Sequence, residues 1–118
     1  MKYVVVVILF FVSLVGMSQS STKHITTCSQ NDFKTGVLVD VRTPEEFAKG
    51  HLDGALNINW YHKDFAAGFK DIPKDKTIYL YCKKGGRSAK AQAKLSSLGF
   101  TNIVNLEGGY DAWWASKN

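Results

Sequence analysis

The residues best suited to chemistry in this sequence form one short run, Cys82-Lys83-Lys84-Gly85-Gly86-Arg87-Ser88. Two adjacent glycines let the backbone turn back on itself, so that successive amide N–H groups point inward and make a concave nest for an anion. Cys82 at the floor of such a nest, beside Lys83, Lys84 and the start of a helix, has its thiol drawn below the free pKa of about 8.5. The product is a thiolate, the nucleophile that sulfur chemistry requires. The bland alternative is a buried cysteine acting as a small hydrophobe. It leaves the two lysines and two glycines that follow unexplained.

The elements that must hold this run alternate between strand and helix. Val37-Leu38-Val39-Asp40-Val41 is β-branched enough to read as a buried parallel strand. It ends at Thr43-Pro44, where Thr43 caps a short helix that has Pro44 first, Glu45 and Glu46 in its first turn, and a stop near Gly50. Residues 51–58 hold a turn and a brief strand, and residues 64–69 another short helix. Thr77-Ile78-Tyr79-Leu80-Tyr81 is a strand that runs straight into Cys82. Residues 88–98 are rich in helix formers, with Ser88 as N-cap and Gly99 as C-terminal cap. Residues 103–106 form a further strand and residues 108–116 a last helix. The pattern is α/β, an open parallel sheet covered on both faces, and the cysteine loop lies at its carboxyl edge, where such sheets bind ligands. Asp40 and Arg42 emerge on the same edge. Asp40 is expected to pair with a loop cation, and Arg42 with Glu45 or Glu46.

Composition bounds the rest. A chain of 118 residues, 45% hydrophobic and 21% charged, accommodates one globular domain and excludes disorder, collagen-like repeats and a coiled coil. Cys28 and Cys82 lack the paired spacing of a zinc site, and His24 and His62 show no ligand spacing. A net charge of +5, with only Arg42 and Arg87 as arginines, favours small anions and falls short of a nucleic-acid footprint. Met1-Lys2, an apolar run from Tyr3 to Val15, and then Gly16-Met17-Ser18-Gln19-Ser20 follow the order of a secretory signal. Residues 1–18 are therefore read as a signal peptide, with cleavage after Ser18 or Ser20, residues 19–30 as a polar lead-in, and residues 31–118 as the domain. The expected location is periplasmic or secreted. An uncut anchor is the alternative, although the run is short of the roughly 20 residues that span a bilayer.

Tyrosine phosphatases also place a cysteine and an arginine on one loop, but here Arg87 stands one residue too close and Ser88 occupies the position of that arginine. The tighter loop suits a terminal sulfur atom better than a phosphate tetrahedron. Instead the chain resembles the rhodanese-like sulfurtransferases, through Leu38-Val39-Asp40-Val41-Arg42, Glu45-Glu46-Phe47, Gly50-His51-Leu52-Asp53-Gly54-Ala55 with Asn57, Tyr81-Cys82 to Ser88, Leu98-Gly99-Phe100 and Leu106-Glu107-Gly108-Gly109. The resemblance implies a rhodanese fold of about five parallel strands in which Cys82 accepts a sulfane sulfur and becomes a persulfide. It implies that Lys83, Lys84, Gly85, Gly86, Arg87 and Ser88 cradle the outer sulfur, with Asp40 and Arg42 as supporting residues, and no metal or organic cofactor. The lysine pair resembles that of members accepting thiosulfate, so the expected partners are a small anionic donor and a cyanide, thiol or protein acceptor. No nucleic acid and no stable membrane insertion after signal cleavage are expected. The alternative is a module that carries sulfur to, or binds, an exported protein without turnover. His51 belongs to a turn motif and is not expected to act as a base. Trp60-Tyr61 is expected to pack, with lining the entrance to the site as the alternative. Cys28 is expected to be structural, with resolution of the persulfide as a disulfide the rival role.

Overall fold

A computed structural model describes residues 19–118; residues 1–18, on which the expected signal peptide falls, lie outside the described residues. The described residues form a five-stranded sheet of order β1-β5-β4-β2-β3, its central strands β2 and β4 apolar runs. Its strands are β1 (Gln19–His24), β2 (Val37–Asp40), β3 (Leu56–Asn57), β4 (Ile78–Tyr81) and β5 (Asn102–Glu107), and every pairing is parallel. Successive residues alternate between two apolar layers, as a sheet covered on both faces requires. Val39, Leu80, Ile103 and Cys82 face one layer with Phe65, Phe69, Ala91, Leu95 and Phe100. Leu38, Tyr81, Val104 and Leu106 face the other with Ile25, Phe33 and Leu52.

Among the described residues three α-helices cover the sheet: α1 (Pro44–Lys49), α2 (Gly86–Ser97) and α3 (Gly109–Lys117). The expected Thr43 cap is present, with Thr43 Oγ1 accepting from the Glu46 N–H at 3.2 Å and the Glu46 carboxylate accepting from the Thr43 N–H at 3.2 Å. The Gly99 cap is present too, at φ +97° just beyond α2. Among the described residues no helix is long and apolar enough to cross a membrane.

Three expectations are corrected. The polar lead-in is a strand: Gln19–His24 pairs with Asn102–Glu107 along its whole length, and all six of its residues are exposed. Its place comes from main-chain bonds, reinforced by Gln92 Nε2, which donates to Ser21 O at 2.8 Å and Ile103 O at 3.0 Å. The helix expected over 64–69 is a 3-10 turn, Phe65–Phe69. Ser88 is not the N-cap of α2, which begins two residues earlier behind Gly85 at φ +123°. Only glycine holds that conformation cheaply, so the loop's own turn sets the helix start.

Candidate active site

β4 delivers Cys82 to the carboxyl edge of the sheet, and the turn at Gly85 folds the chain back over it. The thiol is 2% exposed. Gly85 donates its N–H to Cys82 Sγ at 3.0 Å, and Ser88 Oγ lies 3.4 Å from the same sulfur. Ser88 Oγ is also 3.1 Å from the Gly85 carbonyl. One hydroxyl proton serves one acceptor at a time, so it is free to turn to sulfur when charge appears there. Burial pushes the Cys82 thiol up, but the Ser88 hydroxyl and the backbone N–H groups of Ser88, Gly85 and Lys84 more than offset it, so the thiol is held below its ordinary value. The N-terminus of α2 adds partial positive charge in the same place.

The outer side of the loop is fixed as firmly as the inner. Tyr110 N–H donates to Cys82 O at 2.8 Å, Asp111 N–H to Lys83 O at 3.0 Å, and Gly108 N–H to Lys84 O at 3.2 Å. The first turn of α3 thus takes three consecutive carbonyls outward, which leaves the N–H groups of the loop facing the sulfur. Gly109 makes this docking possible. At φ +59° it lies in the left-handed region, and a Cβ there would collide with the carbonyl groups of Cys82 and Lys83. Gly108-Gly109 drew no site role from sequence reasoning; its signal is two glycines at the end of a strand neighbouring the cysteine strand.

Comparison with known proteins gives the family. The profile of the rhodanese-like domain matches residues 24–116. The chain belongs to the rhodanese-like family. It is 34% identical over 120 residues to the uncharacterized protein YqhL of Bacillus subtilis, covering 96% of this chain and 94% of that protein. It is 31% identical over 97 residues to the thiosulfate sulfurtransferase GlpE of Shewanella oneidensis, covering 80% and 94%. A crystal structure of a rhodanese-like domain protein from Staphylococcus aureus superposes with a TM-score of 0.66 at 34% identity, covering 80% of this chain and 89% of that one. Other matching relatives are longer, and the chain spans 19% of one and 50% of another.

Within this rhodanese-like site the loop cations are not equivalent. Arg87 is held by Glu46 in a two-pronged pair, Nη1 to Oε1 at 2.7 Å and Nη2 to Oε2 at 3.0 Å. Arg87 beside it, assisted by the Thr43 N–H and against the cost of burial, lowers the Glu46 carboxyl to about 2. Glu46 therefore positions the loop, a role that its place 41 residues away hid from sequence reasoning. Lys83 Nζ lies 2.9 and 3.0 Å from the two carboxylate oxygens of Asp111. Among the described residues Lys84 has no carboxylate within ion-pair distance. Gly86 forms the first residue of α2.

Asp40 and Arg42 pair with each other instead of with the partners expected. Their buried side chains meet at 2.6 Å, and Arg42 Nη2 also donates to Gly50 O at 2.7 Å. Arg42 sits against the Tyr110 ring at 4.2 Å, while Asn57 Nδ2 donates to the carbonyls of Asp40 and Arg42 at 3.1 and 2.9 Å. The pair thus braces the end of β2 against α1 and α3. A two-residue spacing and complete burial favour this short closure over a reach to the loop. His51 donates from Nδ1 to Leu52 O at 2.9 Å and stacks on Phe47 at 3.8 Å, a structural setting. Trp60 packs edge-on against Phe65 at 5.0 Å, whereas Tyr61 is 67% exposed with the Arg87 guanidinium 5.7 Å from its ring centre. Cys28 is a free, half-buried thiol packed in the layer opposite that of Cys82. The sheet stands between them, which removes the disulfide role.

Proposed function

We propose that this rhodanese-like domain transfers sulfane sulfur by a two-step exchange through Cys82. The Cys82 thiolate attacks the outer sulfur of a donor such as thiosulfate. A Cys82–sulfur bond forms, the donor's S–S bond breaks, and sulfite leaves with the bonding pair. The terminal sulfur of the resulting persulfide carries the negative charge, and it enters the nest of N–H groups from Lys84 to Ser88. An acceptor such as cyanide or a thiolate then attacks that sulfur, and Cys82 leaves as thiolate, ready for the next donor.

The observation that carries this reading is the convergence of the Gly85 N–H and the Ser88 hydroxyl on Cys82 Sγ at the start of α2. No separate base is called for, because the donors around Cys82 Sγ hold its thiol below the ordinary value and favour the thiolate. The signal-like order of residues 1–18 supports action outside the cytoplasm, which N-terminal sequencing of the mature protein tests. Thiocyanate formation from thiosulfate and cyanide tests the chemistry. Parallel double-reciprocal lines are expected for wild type and no product for Cys82→Ser; turnover by Cys82→Ser would refute the assignment.

A further inference from the structure

The two lysines that follow Cys82 meet different fates. Lys83 is pinned to Asp111 twice over, through its side chain at 2.9 and 3.0 Å and through its carbonyl, which accepts the Asp111 N–H at 3.0 Å. Arg87 is likewise matched by Glu46. Each pair presents a donor with nearly zero net charge, so the rim of the loop is far less cationic than its residues suggest. The Lys83 and Asp111 side chains are 54% and 38% exposed, and an ion pair so open to water adds little to stability. Its effect is on the local field at the rim.

We infer that Asp111, in the first turn of α3, is a specificity-determining residue that acts through Lys83: it cancels the lysine's charge and thereby weakens the site's preference for dianionic over monoanionic sulfur donors. This rests on the sulfur-transfer reading above and adds to it the class of donor that the site admits. A persulfide or a thiosulfonate carries one negative charge and thiosulfate two. Each unit of positive charge restored to the rim therefore favours thiosulfate over a monoanion.

Thiosulfate and methanethiosulfonate separate the two cases. Both give up a sulfane sulfur to Cys82 when their S–S bond breaks, one releasing sulfite and the other methanesulfinate, so the persulfide formed is the same. The readout is the ratio of kcat/KM for the two donors at low ionic strength, with cyanide as acceptor. Asp111→Asn is expected to raise the ratio about threefold in favour of thiosulfate, the scale of one unit charge acting through water at several ångströms. The gain is expected to fade in high salt, and Asp111→Glu to restore the wild-type ratio. Removing the pair whole, in Lys83→Gln/Asp111→Asn, is expected to leave the ratio near wild type. An unchanged ratio in Asp111→Asn, or a fall in the double variant that shows Lys83 gripping the donor directly, overturns the inference while sulfur transfer stands. Failure of wild type to turn over either donor overturns the sulfur-transfer reading and the inference with it.

Discussion

Cys28 and Cys82 have the same side chain and lie on opposite faces of one sheet, yet only one is equipped to react. Among the described residues, Cys28 Sγ makes one hydrogen bond, donating to the His24 carbonyl at 3.9 Å, and receives none. Cys82 Sγ meets donors, an N–H at 3.0 Å and a hydroxyl at 3.4 Å. The difference lies in which end of the peptide dipole each sulfur faces. The donors around Cys82 Sγ favour its anion and hold that thiol below its ordinary value.

The sharpest way to break that contrast is to exchange the thiols one at a time. Cys82→Ser is expected to remove sulfur transfer to the background of the assay, and Cys28→Ser to leave it within about twofold, because removing a nucleophile costs orders of magnitude and a remote change does not. Next comes the docking that turns the loop's donors inward. Gly109→Ala places a Cβ against the Cys82 and Lys83 carbonyls at a left-handed φ, and a loss of about 2 kcal/mol or more is expected in urea denaturation. Transfer is expected to fall with it, since the loop must move away from α3.

A smaller change sharpens the contrast without disturbing the fold. The Ser88 hydroxyl helps to lower the Cys82 thiol, so Ser88→Ala is expected to shift the pH inflection of Cys82 alkylation upward. Less thiolate is then present at neutral pH, and alkylation there slows. The smallest expected effect concerns Glu46. Its carboxyl is lowered from 4.5 to about 2 by pairing with Arg87, so its stabilisation is full above pH 4.5 and is lost as pH falls through about 2. Glu46→Gln is expected to cost about 1 kcal/mol near neutral pH, with the gap to wild type closing as the solution is acidified from pH 4.5 towards 2. A gap that stays constant over that range would show that Glu46 acts by packing.

What the chain reveals before folding follows the same division between local and distant partners. β2 and β4 were legible because their apolar residues run unbroken towards a turn, β5 from Ile103-Val104 and Leu106 before a glycine pair, and the Thr43 cap because all of its parts lie within four residues. The cysteine loop was legible because its chemistry and its glycines are contiguous. β1 was not, since an edge strand whose six residues all face water carries no apolar period. The Glu46–Arg87 and Lys83–Asp111 pairs bridge 41 and 28 residues, and only the order of strands in the sheet brings their members together. The start of α2 was misplaced because Ser88 is a good cap by type, while Gly85 already supplies the turn. Ser88 is thereby released from capping and turned towards the sulfur.

The central claim, that this loop makes Cys82 a sulfur carrier, is tested most directly by intact-mass spectrometry under non-reducing conditions. Purified protein treated with thiosulfate is expected to gain the mass of one sulfur atom, to lose it when cyanide is added, and to gain nothing in Cys82→Ser. Folded protein with reduced Cys82 that takes up no sulfur from thiosulfate or from a persulfide, or that takes it up equally in Cys82→Ser, would contradict it.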